Sequence, residues 1–119
     1  MTNGLIDHLG ELSAPLGGVG FRRMFGGWGL FRDGLMFALV VRETVYIKSD
    51  AETDPLFAAE DLPPFTYATR TGANRTVGYR QLPERCLDDP DEFQVWAQLG
   101  LAAARRAATP QPPRRKRSP

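Results

Sequence analysis

The run at residues 35–41 constrains the fold of this chain more than any other part of its sequence. It reads Leu-Met-Phe-Ala-Leu-Val-Val, so seven consecutive side chains are apolar. A strand of this kind is covered on both faces and lies in the interior of a sheet. Alternation predicts two faces, with Phe37, Leu39 and Val41 on one side and Met36, Ala38 and Val40 on the other. The run therefore predicts a central strand that is buried on both sides.

Further segments with β character flank this run. Asp33-Gly34, directly before it, favours a type I′ hairpin turn, because both turn positions require positive φ. Residues 23–31 contain three glycines and are interpreted as one glycine-interrupted strand. Residues 44–48 alternate in polarity and follow after a short connection, which predicts a meander. Residues 65–70 and 76–82 are predicted to form a second strand pair.

Three helices are predicted around these strands. Residues 2–13 place leucines at helical spacing. A short middle helix begins with Asp54 as its N-cap and runs to about Asp61. The last helix, 90–108, starts after Asp89, whose carboxylate is suited to cap free backbone N–H groups. The order α-β-β-β-α-β-β-α indicates an α+β fold with an antiparallel sheet of about five strands.

Length and charge divide the chain into a body and a tail. The 119 residues suffice for one domain, predicted at 1–108. Residues 109–119 contain four prolines and four basic side chains, and they are predicted to be a disordered basic tail. Residues 1–92 hold nine basic and all fourteen acidic side chains, a net charge of −5. Residues 93–119 hold six basic side chains and no acidic one, a net charge of +6.

Cysteine content and hydropathy predict a cytoplasmic protein. Cys86 is the only cysteine, so an intrachain disulfide is excluded and a reducing compartment fits. Residues 1–20 contain no basic start followed by an apolar run, so no signal peptide is expected. No apolar stretch approaches the roughly 20 residues that a membrane helix needs.

Residues able to carry catalysis are few. His8 is the only histidine, and Cys86 would act as a nucleophile only if the fold brought a base such as His8 beside it. Carboxylates cluster at the start of the last helix, where capping and the helix dipole account for them. They are Asp88, Asp89, Asp91 and Glu92. We therefore expect no enzyme activity, no bound metal and no cofactor.

The glycine-rich stretch and the basic residues supply the candidate binding sites. The glycines match neither a dinucleotide-binding loop nor a P-loop, and a hairpin follows them where both motifs need a helix. A bulged or bent strand accounts for them. The candidate partner-binding surface comprises Arg22, Arg23, Gly26, Gly27 and Trp28. The candidate nucleic-acid-binding tail comprises Arg114, Arg115, Lys116 and Arg117.

The same glycine-rich stretch carries a resemblance to a known family. Arg-Arg-Met-Phe-Gly-Gly-Trp-Gly-Leu-Phe at 22–31, together with Asp33-Gly34 and the apolar strand, resembles the N-terminal domain of TfoX-type competence regulators. Later segments are similar to the family's third strand, to the segment after its middle helix and to the approach to its last helix. These segments are 45–48, 64–67, and 78–83 followed by 87–90. The resemblance covers about residues 5–108.

This resemblance implies a regulator of natural competence that acts on transcription with the cyclic-AMP receptor protein, and it implies no catalytic residues. Full-length regulators of this type carry a second, C-terminal domain, where this sequence has its Pro-rich basic tail. The leading prediction is a non-catalytic regulatory or binding module that acts through a protein or DNA-bound partner. The alternative is a domain that binds a small ligand or a protein outside transcription. Any affinity for DNA is expected mainly from residues 105–117.

Overall fold

The computed structural model of the chain describes residues 2–24, 26–68 and 74–108. The helices and strands in chain order are α1 (Thr2–Ser13), β1 (Val19–Met24), β2 (Gly27–Arg32), β3 (Leu35–Val41), β4 (Thr44–Lys48), α2 (Asp54–Ala58), β5 (Pro64–Ala68), β6 (Asn74–Gln81) and α3 (Pro90–Ala108). Short 3₁₀ segments at Ala14–Leu16 and Glu84–Leu87 precede β1 and α3. The predicted tail at 109–119 lies outside the described residues.

The six described strands form one antiparallel sheet in the order β1-β2-β3-β4-β6-β5. β3 is an interior strand with a buried centre, as the apolar run predicts. Asp33 and Gly34 have φ of 54° and 79°, which suits the predicted type I′ turn. The α+β fold is confirmed, and the sheet has six strands where about five were expected.

The interpretation of residues 23–31 as one strand is wrong. The chain reverses within this segment, so that β1 ends at Met24, β2 begins at Gly27, and these two residues are paired. Gly26 has φ +72°, a left-handed conformation that glycine adopts without steric cost. The glycines therefore form a hairpin, and this hairpin supplies the additional strand.

A bulge in β3 changes the faces of the central strand. Leu30 and Phe31 of β2 pair with Ala38 and Met36 of β3, so Phe37 is an extra residue without a partner in this register. Phe37 consequently lies in the same hydrophobic core as Ala38. The predicted placement of these two residues on opposite faces is wrong, because simple alternation takes no account of a bulge.

The helices share one hydrophobic core with the sheet, and α3 makes the closest approach. A Cβ added to Gly100 of α3 would lie 2.7 Å from Cγ2 of Ile47 and 2.8 Å from the carbonyl oxygen of Phe37. α1 packs against α3, where Nε2 of Gln94 donates a hydrogen bond to the carbonyl of Leu12 at 2.8 Å. The helices therefore cover the face of the sheet to which Phe37 and Ile47 belong.

The short helix α2 begins differently from the prediction. Thr53 is its N-cap, and Asp54 lies in the first turn. Oδ1 of Asp54 accepts a hydrogen bond from Oγ of Ser49 at 2.7 Å, and its negative charge suits the start of a helix. α2 ends three residues before the expected Asp61. Its Phe57 ring meets the ring of Trp96 edge-on, with 5.0 Å between centroids.

The start of α3 agrees with the prediction. Oδ1 of Asp89 accepts hydrogen bonds from the backbone N–H groups of Asp91 at 3.1 Å and Glu92 at 3.3 Å. The Glu92 carboxylate accepts a hydrogen bond from Nε1 of Trp96 at 3.2 Å, which fixes the first turns of the helix against the core. Among the residues that the structure describes, no helix is long and apolar enough to span a membrane.

Candidate binding surface

The partner-binding residues chosen from the sequence all belong to the β1–β2 hairpin, at one edge of the sheet. They are Arg22, Arg23, Gly26, Gly27 and Trp28. Arg23 pairs with Trp28, and its guanidinium carbon lies 5.4 Å from the centre of a Trp28 ring. Arg22 lies on the opposite side of β1, because neighbouring residues of a strand point to opposite faces. The fold thus joins these residues in one hairpin and divides them between two faces.

The face that carries Arg23 is the one covered by the helices. Leu30 belongs to the core, and Phe21 and Trp28 pack against it. Arg32 on this face donates from Nε to the carbonyl of Gly17 at 3.0 Å, which ties the end of β2 to the segment before β1. The indole of Trp28 therefore has a structural role. Arg23 is exposed beside it, at the edge of the sheet formed by β1.

We call the opposite face of the sheet the outer face. Strand pairing assigns to it Arg22, Met24, Gly27, Gly29, Phe31, Met36, Leu39, Val41, Thr44, Tyr46, Lys48, Tyr79 and Gln81. A Cβ added to Gly29 would lie 2.7 Å from the sulfur atoms of both Met24 and Met36, and 2.9 Å from Cε1 of Phe31. The missing side chain at Gly29 therefore lets three large side chains close over β2.

Two basic side chains of the outer face are held over aromatic rings. The guanidinium carbon of Arg22 lies 5.1 Å from the centre of the Phe31 ring, and Nζ of Lys48 lies 5.1 Å from the centre of the Tyr79 ring. Both distances are typical of cation–π contacts. Burial raises the pKa of Tyr79 to about 12. The outer face thus combines positive charge with aromatic surface.

The fold also brings the only histidine to the segment that contains the only cysteine. Nε2 of His8 donates a hydrogen bond to the carbonyl of Leu87 at 2.5 Å, one residue after Cys86. Cys86 is fully buried, and burial raises the pKa of its thiol from 9.0 to about 11. At pH 7 only about one thiol in 10⁴ would be ionised, so the arrangement does not supply an activated thiolate.

Two of the carboxylates near the start of α3 have partners in the structure, Asp89 with backbone N–H groups and Glu92 with Arg85 and Trp96. Arg85 donates to both carboxylate oxygens of Glu60 at 2.8 and 2.9 Å and to Glu92 at 3.1 Å. The Arg85 guanidinium lowers the pKa of Glu60. Within the described part of the chain, no group of three or more His, Cys, Asp or Glu side chains is arranged to hold a metal ion.

A comparison with protein-family models decides which family the fold belongs to. The model for the TfoX N-terminal domain matches residues 11–104, which are 94 of the 119 residues. The chain belongs to the TfoX N-terminal domain family. The matched part of this TfoX N-terminal domain begins within α1, ends within α3 and contains the whole sheet. A comparison with curated proteins finds no match.

Sequence reasoning missed the outer face of this TfoX N-terminal domain. One signal for it was present, because alternation along residues 44–48 puts Tyr46 and Lys48 together and away from Val45 and Ile47. The partners of Tyr46 and Lys48 on other strands depend on the register, which no local pattern reveals. The tail residues Arg114, Arg115, Lys116 and Arg117 lie outside the described residues.

Proposed function

We propose that this TfoX N-terminal domain is a non-catalytic regulatory module of the cytoplasm that acts on transcription or natural competence through a protein or DNA-bound partner. Family membership over residues 11–104 is the observation that carries the proposal. The non-catalytic role is supported by the protonated, buried thiol of Cys86 and by the engagement of His8 with a backbone carbonyl.

The free edge of β1 is the surface that we propose for the partner. Among the strands that the structure describes, β1 pairs only with β2, so its other edge offers backbone groups to an additional strand. Arg22 and Arg23 are exposed on opposite faces of this edge. A strand added to β1 would lie beside both guanidinium groups, and acidic side chains on either of its faces would complement them.

The proposal is tested by replacing the chromosomal gene with variants and measuring transcript levels across the genome. Arg23→Glu should reproduce the transcript changes of a complete deletion, because it reverses a charge at the proposed edge. Arg42→Glu is the matched control, since it makes the same charge change in the exposed turn between β3 and β4. His8→Ala and Cys86→Ala should also retain the wild-type profile.

Two outcomes would count against this function. A deletion that changes no transcript would favour a domain that binds a small ligand or a protein outside transcription. A loss of regulation in His8→Ala or Cys86→Ala, with the fold retained by circular dichroism, would restore a catalytic role to these residues.

A further inference from the structure

We propose that the outer face of the sheet binds single-stranded nucleic acid. This inference goes beyond the proposed function, because it assigns a ligand to the face of the sheet and requires no protein partner at the edge of β1. It rests on the distribution of charge over the strands, on the cation–aromatic contacts and on the width of the sheet.

Charge is distributed unevenly between the sheet and the rest of the body. Within their described bounds the six strands contain no Asp or Glu. They contain the basic residues Arg22, Arg23, Arg32, Lys48, Arg75 and Arg80. All fourteen acidic residues of the chain lie in helices, turns and connections. The sheet is therefore locally positive although residues 1–92 have a net charge of −5. A polyanion is the ligand class that complements such a surface.

The contacts of the basic side chains show which of them are available on the outer face. Arg32 and Arg80 donate to backbone carbonyls of neighbouring segments and serve the fold. Arg22 and Lys48 belong to the outer face, and each lies 5.1 Å from the centre of an aromatic ring. The Tyr79 ring is buried and positions Lys48, whereas the Phe31 ring is partly exposed. Arg22 and Phe31 together therefore offer one group to a phosphate and one to a base, which is the combination that single-strand binding proteins use.

Aromatic surface extends over much of the sheet. Phe31 on β2, Tyr46 on β4 and Phe65 on β5 are all partly exposed. The rings of Tyr46 and Phe65 meet edge-on, with 4.9 Å between centroids. Stacking of one base on an aromatic ring contributes about 1–3 kcal/mol. Strands lie about 4.8 Å apart, so β1 and β4 are about 14 Å apart, a distance that a short single strand bridges.

The width of the sheet selects unpaired bases. Its six strands span about 24 Å, which is twice the width of about 12 Å of the major groove of B-DNA. The outer face therefore does not fit into a groove, and bases reach its rings only when they are unpaired. An acidic peptide would satisfy Arg22 and Lys48, but it would leave the aromatic surface unused. The combination of cations and rings therefore favours single-stranded nucleic acid.

The test measures binding of the full chain to a fluorescent oligothymidylate at low salt. Arg22→Glu and Lys48→Glu should each weaken binding about tenfold or more, because each puts a negative charge on the outer face. Arg23→Glu is the matched control. It makes the same charge change on the neighbouring residue of the same strand, but on the opposite face, and should weaken binding less than about threefold.

Further variants test how much base stacking and the basic tail contribute to oligothymidylate binding. Tyr46→Leu should weaken oligothymidylate binding, whereas a polyglutamate competitor should displace the oligonucleotide poorly. A full chain with glutamine at 114–117 should keep the difference between Arg22→Glu and Arg23→Glu. If Arg22→Glu fails to fold by circular dichroism, Arg22→Gln replaces it and should still weaken binding.

The proposal is overturned by any of four results. They are equal losses in Arg22→Glu and Arg23→Glu, a loss confined to the tail variant, displacement by polyglutamate as efficient as by oligothymidylate, and no binding at all. The transcript profile of Arg23→Glu tests the edge of β1 separately, so the two proposals can fail independently.

Discussion

At the scale of single residues, the burial of Cys86 couples stability to alkaline pH. The folded thiol has a pKa of about 11, whereas its ordinary value, which applies to the unfolded chain, is 9.0. The unfolded state therefore releases this proton first. The contribution of the protonated Cys86 thiol to the free energy of unfolding is complete below pH 9 and is lost as the pH rises toward 11. By about pH 10.5 the loss amounts to about 2 kcal/mol.

Cys86→Ala should remove this part of the alkaline destabilisation. At pH 7 the variant should be less stable by about 1–2 kcal/mol, because truncation leaves a small cavity in the core. Between pH 7 and about 10.5, wild type should lose about 2 kcal/mol more than the variant in urea unfolding. Tyr79→Phe is the control, since it removes the other buried group with a raised pKa and leaves the Cys86 contribution intact. Equal pH dependence in wild type and Cys86→Ala would contradict the assignment.

At the scale of elements, Gly100 sets the distance between α3 and the sheet. Gly100→Ala should improve helix propensity by about 1 kcal/mol, but the new Cβ would meet the backbone carbonyl of Phe37, which moves only with β3. The cost of overpacking should exceed the gain in helix propensity, so the free energy of unfolding should fall by about 1–2 kcal/mol. Gly10→Ala in α1 is the matched control, because no atom lies within 4 Å of its Cβ position, and it should stabilise by up to about 1 kcal/mol. Similar effects of both changes would show that α3 is not tightly seated.

Elements with a strong local signal could be predicted, and those that depend on pairing could not. The bounds of β3 and β4 follow from apolar patterns, even though Arg42 and Glu43 form the turn between them with φ of 50° and 66° and without the usual Asn-Gly. Gly26 suits a bent strand as well as a turn, so the first hairpin was missed. The bulge at Phe37 arises from the register between β2 and β3, which the sequence of one strand does not contain.

The candidate site shows the same division. The sequence placed Arg22, Arg23 and Trp28 in one segment, and the structure keeps them in one hairpin. Their division between two faces follows from the register of β1 and β2, which does not exist in a single strand over residues 23–31. The outer face draws residues from β1, β2, β3, β4 and β6, so only tertiary structure assembles it.

At the scale of the whole molecule, the outer face and the C-terminal segment are basic regions of different kinds. The outer face combines cations with rings, which suits unpaired bases. Residues 105–117 add cations from a segment rich in proline and arginine. Arg106 is already bound by Asp50 at 2.7 Å and by Glu52 at 2.9 Å, and its guanidinium lowers the pKa of Asp50. The four basic residues at 114–117 are therefore the ones expected to neutralise phosphates.

Duplex DNA should bind mainly through this C-terminal segment, weakly and without sequence preference, because contacts to phosphates alone read no base edges. With about four phosphates neutralised, log affinity should fall against log salt with a slope of about −3 to −4. The measurement is a salt titration with duplex DNA for the full chain and for a chain that ends at Ala108. The shorter chain should lose duplex binding, while its outer face should still bind oligothymidylate. Equal affinity and equal slope for both chains would instead place the duplex contact on the body, at Arg22, Arg23 and the arginines of the second predicted strand pair.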